Sequence, residues 1–225
     1  MDFVEEYTGH VEPGGPAALR TLGTLSVAKL SVGPMNNNTY LLTCLATREA
    51  LLVDAANDPE RISDLIGSGP DRPSLRTIVT THQHADHWQA LGAVAGAFGA
   101  DTIAHPDDAD PLPVPPDRTV VHGDKVQVGE VELEVIHLRG HTPGSIALLH
   151  RDPGGTPHLW TGDSLFPGGV GKTTLPEDFE SLINDVEHRL FDTLPDSTWF
   201  YPGHGDDSTL GAERPKLHTW RERGW

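Results

Sequence analysis

The chain has 225 residues, with 16 basic against 33 acidic side chains and a formal charge of −17. That length suits one domain with a sizeable core, and so acidic a surface argues against nucleic-acid partners and anionic membrane surfaces. A single cysteine, Cys44, excludes an intramolecular disulfide; it closes an apolar strand-like run and reads as a small core residue. Residues 1–24 are rich in Gly and Pro without a clear period and read as an N-terminal arm. Their acidic start lacks the basic and apolar regions of a signal peptide, and no apolar run in the chain approaches the length of a membrane span. The expected location is cytoplasmic.

Residues 25–225 read as a single domain in two pseudo-halves. Strand-like runs at 25–32, 39–44 and 50–54 lead into a short helix at 59–66, then a buried strand at 75–80. After a histidine-rich turn, Leu91, Val94, Ala95 and Phe98 recur at helical spacing. Residues 107–117 hold four prolines and four aspartates, which suit neither a helix nor a central strand. This stretch reads as a solvated acidic loop joining the halves. The second half follows with strands at 126–128, 131–138 and 145–150, then a helix over 176–191 opened by Pro176, Glu177 and Asp178.

The chemistry concentrates where strands end. His82-Gln83-His84-Ala85-Asp86-His87 places three imidazoles and a carboxylate within six residues, directly after the 75–80 strand. His141 heads His-Thr-Pro-Gly-Ser, Asp163 sits in Thr-Gly-Asp-Ser, and His204 lies in Tyr-Pro-Gly-His-Gly. Each follows one grammar: a short apolar strand, a Gly or Pro that turns the chain, then a metal-ligand type of side chain. Such turns let side chains from separate strands converge at one sheet edge. Seven donors of this kind suit two ions. His82, His84 and His141 are expected to hold one, Asp86, His87 and His204 the other, with Asp163 between them. The donor types accommodate zinc first, with iron or manganese as alternatives. Two cations so placed would bring the pKa of a bridging water near neutrality and supply a hydroxide, which Asp86 is expected to orient. The other eight histidines lie outside these motifs and read as structural or surface residues.

The ordered set HxHxDH, HTPGS, TGD and PGHG resembles the metallo-β-lactamase superfamily over residues 25–210. The resemblance implies an α/β (α+β) fold, a four-layer αβ/βα sandwich with a binuclear metal centre at one edge of its two sheets. Asn38-Thr39-Tyr40-Leu41, Asp163-Ser164-Leu165-Phe166 and Gly168-Gly169-Val170-Gly171-Lys172 resemble the glyoxalase II and persulfide dioxygenase branch. That branch implies a metal-dependent hydrolase of thioester or related acyl bonds acting on a small molecule, with Lys172 contacting a substrate carboxylate. Thr173 and Thr174 stand where the branch carries an aromatic, so a full glutathione grip is not expected. Lys216, Arg221 and Arg223 read as a solvated basic tail. Trp88 either narrows the pocket or packs under a loop. The alternative within the branch is a mononuclear iron dioxygenase with iron on His82, His141 and Asp163. Lactones and β-lactams remain open as substrates, as does a homodimer. A non-catalytic interaction module would require degraded ligands, and all seven are intact.

Overall fold

The computed structural model describes every residue except Glu5, Pro70, Asp71 and Trp225. Alternation of apolar residues produces a first sheet from β1 (Ala18–Thr21), β2 (Leu25–Val32), β3 (Asn37–Cys44), β4 (Glu49–Val53), β5 (Ser74–Val79), β6 (Asp101–Ala104) and β7 (Arg118–Thr119), in that spatial order. The strands β1 to β4 run antiparallel, and β4 to β7 run parallel. The parallel crossovers carry helices α1 (Pro59–Ser68) and α2 (Leu91–Phe98). Pro59 starts α1 with the φ a first turn needs, and Ile62, Leu65 and Ile66 at helical spacing are buried against the sheet.

The second half supplies β8 (Lys125–Val128), β9 (Val131–His137), β10 (Ile146–Arg151), β11 (Pro157–Gly162) and a small hairpin of β12 (Leu165–Phe166) and β13 (Gly169–Val170). Helix α3 (Pro176–Val186) continues as one π turn over Glu187–Phe191, followed by β14 (Trp199–Pro202), β15 (Ser208–Thr209), α4 (Leu210–Glu213) and α5 (Leu217–Arg223). The second sheet is ordered β15-β14-β11-β10-β9-β8.

Period-2 patterning decides the layering. On β2, Leu25 and Val27 face the second sheet, while Ala28, Leu30 and Val32 face α1 and α2. On β9, Val131, Leu133 and Val135 face inward and Ile136 meets Leu182, Ile183 and Val186 of α3. Three apolar layers result, one between the sheets and one under each helical coat, and they assemble the four-layer αβ/βα sandwich expected from the sequence. Burying one large aliphatic side chain in such a layer stabilises by roughly 1.5–3 kcal/mol.

Two stretches differ from their sequence reading. Residues 1–24 are not all an arm outside the sheets: Ala18–Thr21 pair with β2 as the first sheet's edge strand, and Phe3 bridges Ala17. Edge pairing needs backbone groups rather than a long apolar period, so the pattern does not announce it. Within 107–117, Asp108 is buried rather than solvated, and Asp117 caps the chain by accepting from the amide and hydroxyl of Thr102. The chain changes sheets just past this segment, between β7 and β8.

Candidate metal centre

All seven donor residues lie at one edge of the sandwich, where the C-terminal ends of β5, β9, β11 and β14 open into turns. His82, His84 and His141 place one nitrogen each within 4.8 Å of one another, and Asp86, His87 and His204 do the same with one donor atom each. His84 Nδ1 lies 2.9 Å from His141 Nε2, and His204 Nε2 lies 3.3 Å from Asp86 Oδ2. Asp163 reaches both sets, with Oδ1 3.3 Å from His87 Nε2 and Oδ2 3.5 Å from His204 Nε2 and 3.7 Å from His141 Nε2. All seven residues expected as ligands are therefore brought together, and Asp54, His82 and His87 also place one donor atom each within 4.8 Å of one another.

The surroundings turn the imidazoles toward a common interior. Nδ1–H of His87 donates to Asp54 Oδ2 at 2.8 Å, that of His141 to the Lys172 carbonyl at 2.8 Å, and that of His204 to the Met35 carbonyl at 3.1 Å. His82 Nδ1 meets Thr81 Oγ1 at 3.0 Å, and that hydroxyl donates onward to Asp54. These bonds select the tautomer that leaves Nε2 free as a ligand. His82 Nε2, His87 Nε2 and Asp163 Oδ1 are buried without a hydrogen-bond partner among the described residues; the 3.3 Å approach of the last two lacks hydrogen-bond alignment. Orphaned buried lone pairs are costly, and divalent cations satisfy them. The residues thus fit a metal centre.

Close packing explains two glycines of the motifs. A Cβ on Gly203 would lie 2.1 Å from Asp163 Oδ1, and one on Gly171 would lie 1.8 Å from the Asp163 carbonyl. Neither position admits a side chain without displacing a donor.

Electrostatics separate the two donor sets. Burial, helped by the neighbouring imidazoles of His87, His141 and His84, holds His82 well below the usual histidine value. Burial opposes charge on His87 too, but Asp163 and Asp54 push it up to about 10. Burial works against ionisation of Asp86, yet hydrogen bonding from Asn37 and the charge of His87 keep its pKa below the usual carboxylate value.

Three positioning residues escaped the sequence reading. Asp54, at the end of β4, orients both His87 and Thr81. Asn37 donates from Nδ2 to Asp86 Oδ2 at 2.8 Å. Asp108 accepts from the amide of Gln83, the amide of Gly144 and the Thr142 hydroxyl, tying the His82–His87 turn to the His141 turn. The signal available for Asp54 was its place at a strand end beside the ligand turns. Asp108 carried none, being one aspartate among several in a proline-rich run. Asn38 and Tyr40 of the quoted Asn-Thr-Tyr-Leu motif grip the Pro202 carbonyl, so that motif holds the His204 turn.

Other sequence candidates fall as follows. Lys172 is exposed, beside the centre through its carbonyl contact with His141, and forms no ion pair among the described residues. Trp88 packs under the loop, donating to the Gln83 carbonyl and joining the α1/α2 layer. The basic residues near the C-terminus are not merely solvated: Lys216 pairs with Glu213, Arg221 with Glu187, and Arg223 bonds the Gly168 carbonyl. Cys44 is a buried core residue. His105 and His137 lie near Asp107, but their rings stack with centroids 4.1 Å apart and planes at 29°, so their in-plane lone pairs do not meet at one ion. No helix among the described residues is long and apolar enough to cross a membrane.

Histidines and carboxylates converging at one edge of two helix-backed sheets define a metal-binding αβ/βα protein. The family model described as the metallo-beta-lactamase superfamily matches residues 32–204, and the chain belongs to that superfamily. It is 35% identical over 169 residues to a hydroxyacylglutathione hydrolase of Polaromonas sp., a match covering 75% of this chain and 62% of that protein. It is 30% identical over 202 residues to an uncharacterized protein of Aquifex aeolicus, covering 82% and 92% of the two chains. Among solved structures, ETHE1 from Myxococcus xanthus superposes with a TM-score of 0.72 at 30% identity, covering 84% of this chain and 81% of its own.

Proposed function

We propose that the protein is a two-metal hydrolase of thioesters or related acyl bonds. The observation that carries this reading is Asp163, one carboxylate whose two oxygens lie within 3.7 Å of imidazoles from both donor sets. A shared carboxylate between two complete triads suits a pair of ions better than one. The similarity to a hydroxyacylglutathione hydrolase supports the bond type. When bound, divalent ions would polarise an acyl carbonyl and lower the pKa of a nearby water.

The chain's own groups supply the rest. His82, His84 and His141 would hold one ion and Asp86, His87 and His204 the other, with zinc the favoured metal. Against the effect of burial, Asn37 donating to Oδ2 and the charge of His87 hold the Asp86 pKa below the usual carboxylate value, so Asp86 orients water as a carboxylate. A thiolate leaves without much help from a general acid. Lys172, exposed and adjacent to His141, meets a carboxylate on the thiol portion of the substrate.

A second reading, a one-iron dioxygenase using His82, His141 and Asp163, draws support from the similarity to ETHE1. Metal content of protein purified without added metal separates the two. Two zinc ions per chain with turnover of a thioester panel is the expected result; one iron per chain with oxygen uptake on a persulfide overturns it. Within the hydrolase reading, Lys172→Ala raises KM several-fold for carboxylate-bearing thioesters and leaves kcat within about twofold.

A further inference from the structure

Lys29 occupies an inward position on β2, in line with Leu25 and Val27, and its side chain is wholly buried between the sheets. All three ammonium hydrogens are used: on the Gly9 carbonyl at 2.7 Å, the Gly205 carbonyl at 2.8 Å and Asp207 Oδ1 at 2.7 Å. The second oxygen of Asp207 accepts from the Tyr7 hydroxyl at 2.6 Å and the Trp199 indole at 3.0 Å, while its amide donates to Gly9 at 3.1 Å. Residues from the N-terminal segment, β2 and the loop after β14 thus form one closed, buried network.

What this network grips is the turn carrying His204. Gly205 follows the ligand directly and sits at φ +71°. Its carbonyl is shared by Lys29 and Asn38 Nδ2, Pro202's carbonyl is held by Asn38 and Tyr40, and Gly203's by the Asn38 amide. A buried ion pair is a poor way to gain stability, because desolvation offsets the attraction and an apolar pair often does as well. A saturated, directional anchor one residue from a ligand gains orientation instead. Tyr7, Gly9, Lys29 and Asp207 all lie outside the 32–204 family match.

We infer that Lys29, locked by Asp207 and by residues 7–9, is a positioning residue for His204 and sets the affinity of the Asp86, His87 and His204 set for its ion. This rests on the two-ion reading above.

The test is cobalt(II) titrated into the metal-stripped full chain, with binding followed by its ligand-field spectrum. Wild type is expected to take two ions in separable steps. Lys29→Met/Asp207→Asn, which removes both charges together, is expected to leave the first step unchanged and weaken the second about 10- to 100-fold. Tyr7→Phe, which deletes one outer hydrogen bond, is expected to weaken the second step about threefold and spare the first. Wild-type affinity at both steps in the double variant, or equal losses at both, overturns the inference and leaves the hydrolase reading standing. A wild-type chain that takes only one cobalt overturns the two-ion reading and this inference with it. Should the double variant fail to fold, Tyr7→Phe decides by the same criterion, and an unchanged second step overturns the inference.

Discussion

His82, His84 and His141 meet as three imidazoles, whereas His87 and His204 meet across the carboxylate of Asp86. In the first set burial above all, with neighbouring imidazoles, lowers the basicity of His82 and His141. In the second set Asp163 and Asp54 raise the basicity of His87 against the effect of its burial. The same ligand type therefore competes with protons more strongly on one side of Asp163 than on the other. Their supports differ as well. Asp108 clamps the backbone of the His82–His87 and His141 turns, while Asp54 holds the ring of His87 directly and reaches His82 only through Thr81.

The largest effect should come from removing the group the two sets share. Asp163→Ala is expected to abolish paired metal binding and lower hydrolysis by about a hundredfold or more, read by metal stoichiometry and turnover together. A variant that keeps two ions and full activity would show that the halves do not depend on a common carboxylate.

The pH dependence should differ between the sets by about tenfold per unit. With His87 held at about 10, affinity of the second set is expected to fall as pH drops below that value, while buried His82, held well below the usual histidine value, contributes little pH dependence at neutral pH. Competition titrations at several pH values measure both. The linkage has a matching sign in metal-free protein. The His87 pKa is raised on folding, so its contribution to stability is fully present below the ordinary value of 6.5 and is lost as pH rises through about 10. Thermal unfolding of the metal-free chain across that window should show a falling midpoint.

The smallest effects sharpen the contrast by crossing it. Asp54→Asn keeps the shape but weakens the hold on His87, and is expected to cost the second set about tenfold in affinity. Asp108→Asn leaves one of three donors poorly matched, costs about 1–3 kcal/mol of stability and loosens the first set. Stepwise metal binding and denaturant unfolding of the two variants check this; identical profiles would mean the supports are not specific to either half.

Much of the centre was legible because ligand chemistry is carried by few residue types and strand-end turns announce themselves. Three histidines and an aspartate after an apolar strand can hardly be a core pattern, and Gly or Pro before His141, Asp163 and His204 marks the bend. The layering was legible for a similar reason, since Leu25, Val27, Leu133 and Val135 alternate with residues of the opposite face. Short elements such as β1, β7 and β15 were not, because two to four residues contain too little period to distinguish a strand from a loop.

Residue type and order alone brought the seven candidate donors into view, because ligand chemistry is fixed by few residue types, and the family resemblance their motifs carry implied the sandwich that presents them. Only the tertiary structure decided which plain residues serve that centre. Asp54, Asn37, Asp108 and Lys29 act on groups brought near by folding: Lys29 lies 176 positions from the Gly205 carbonyl it holds, and Asp108 lies 36 from Gly144. A lone polar side chain reveals its partner only when packing has brought the two together and removed the water between them.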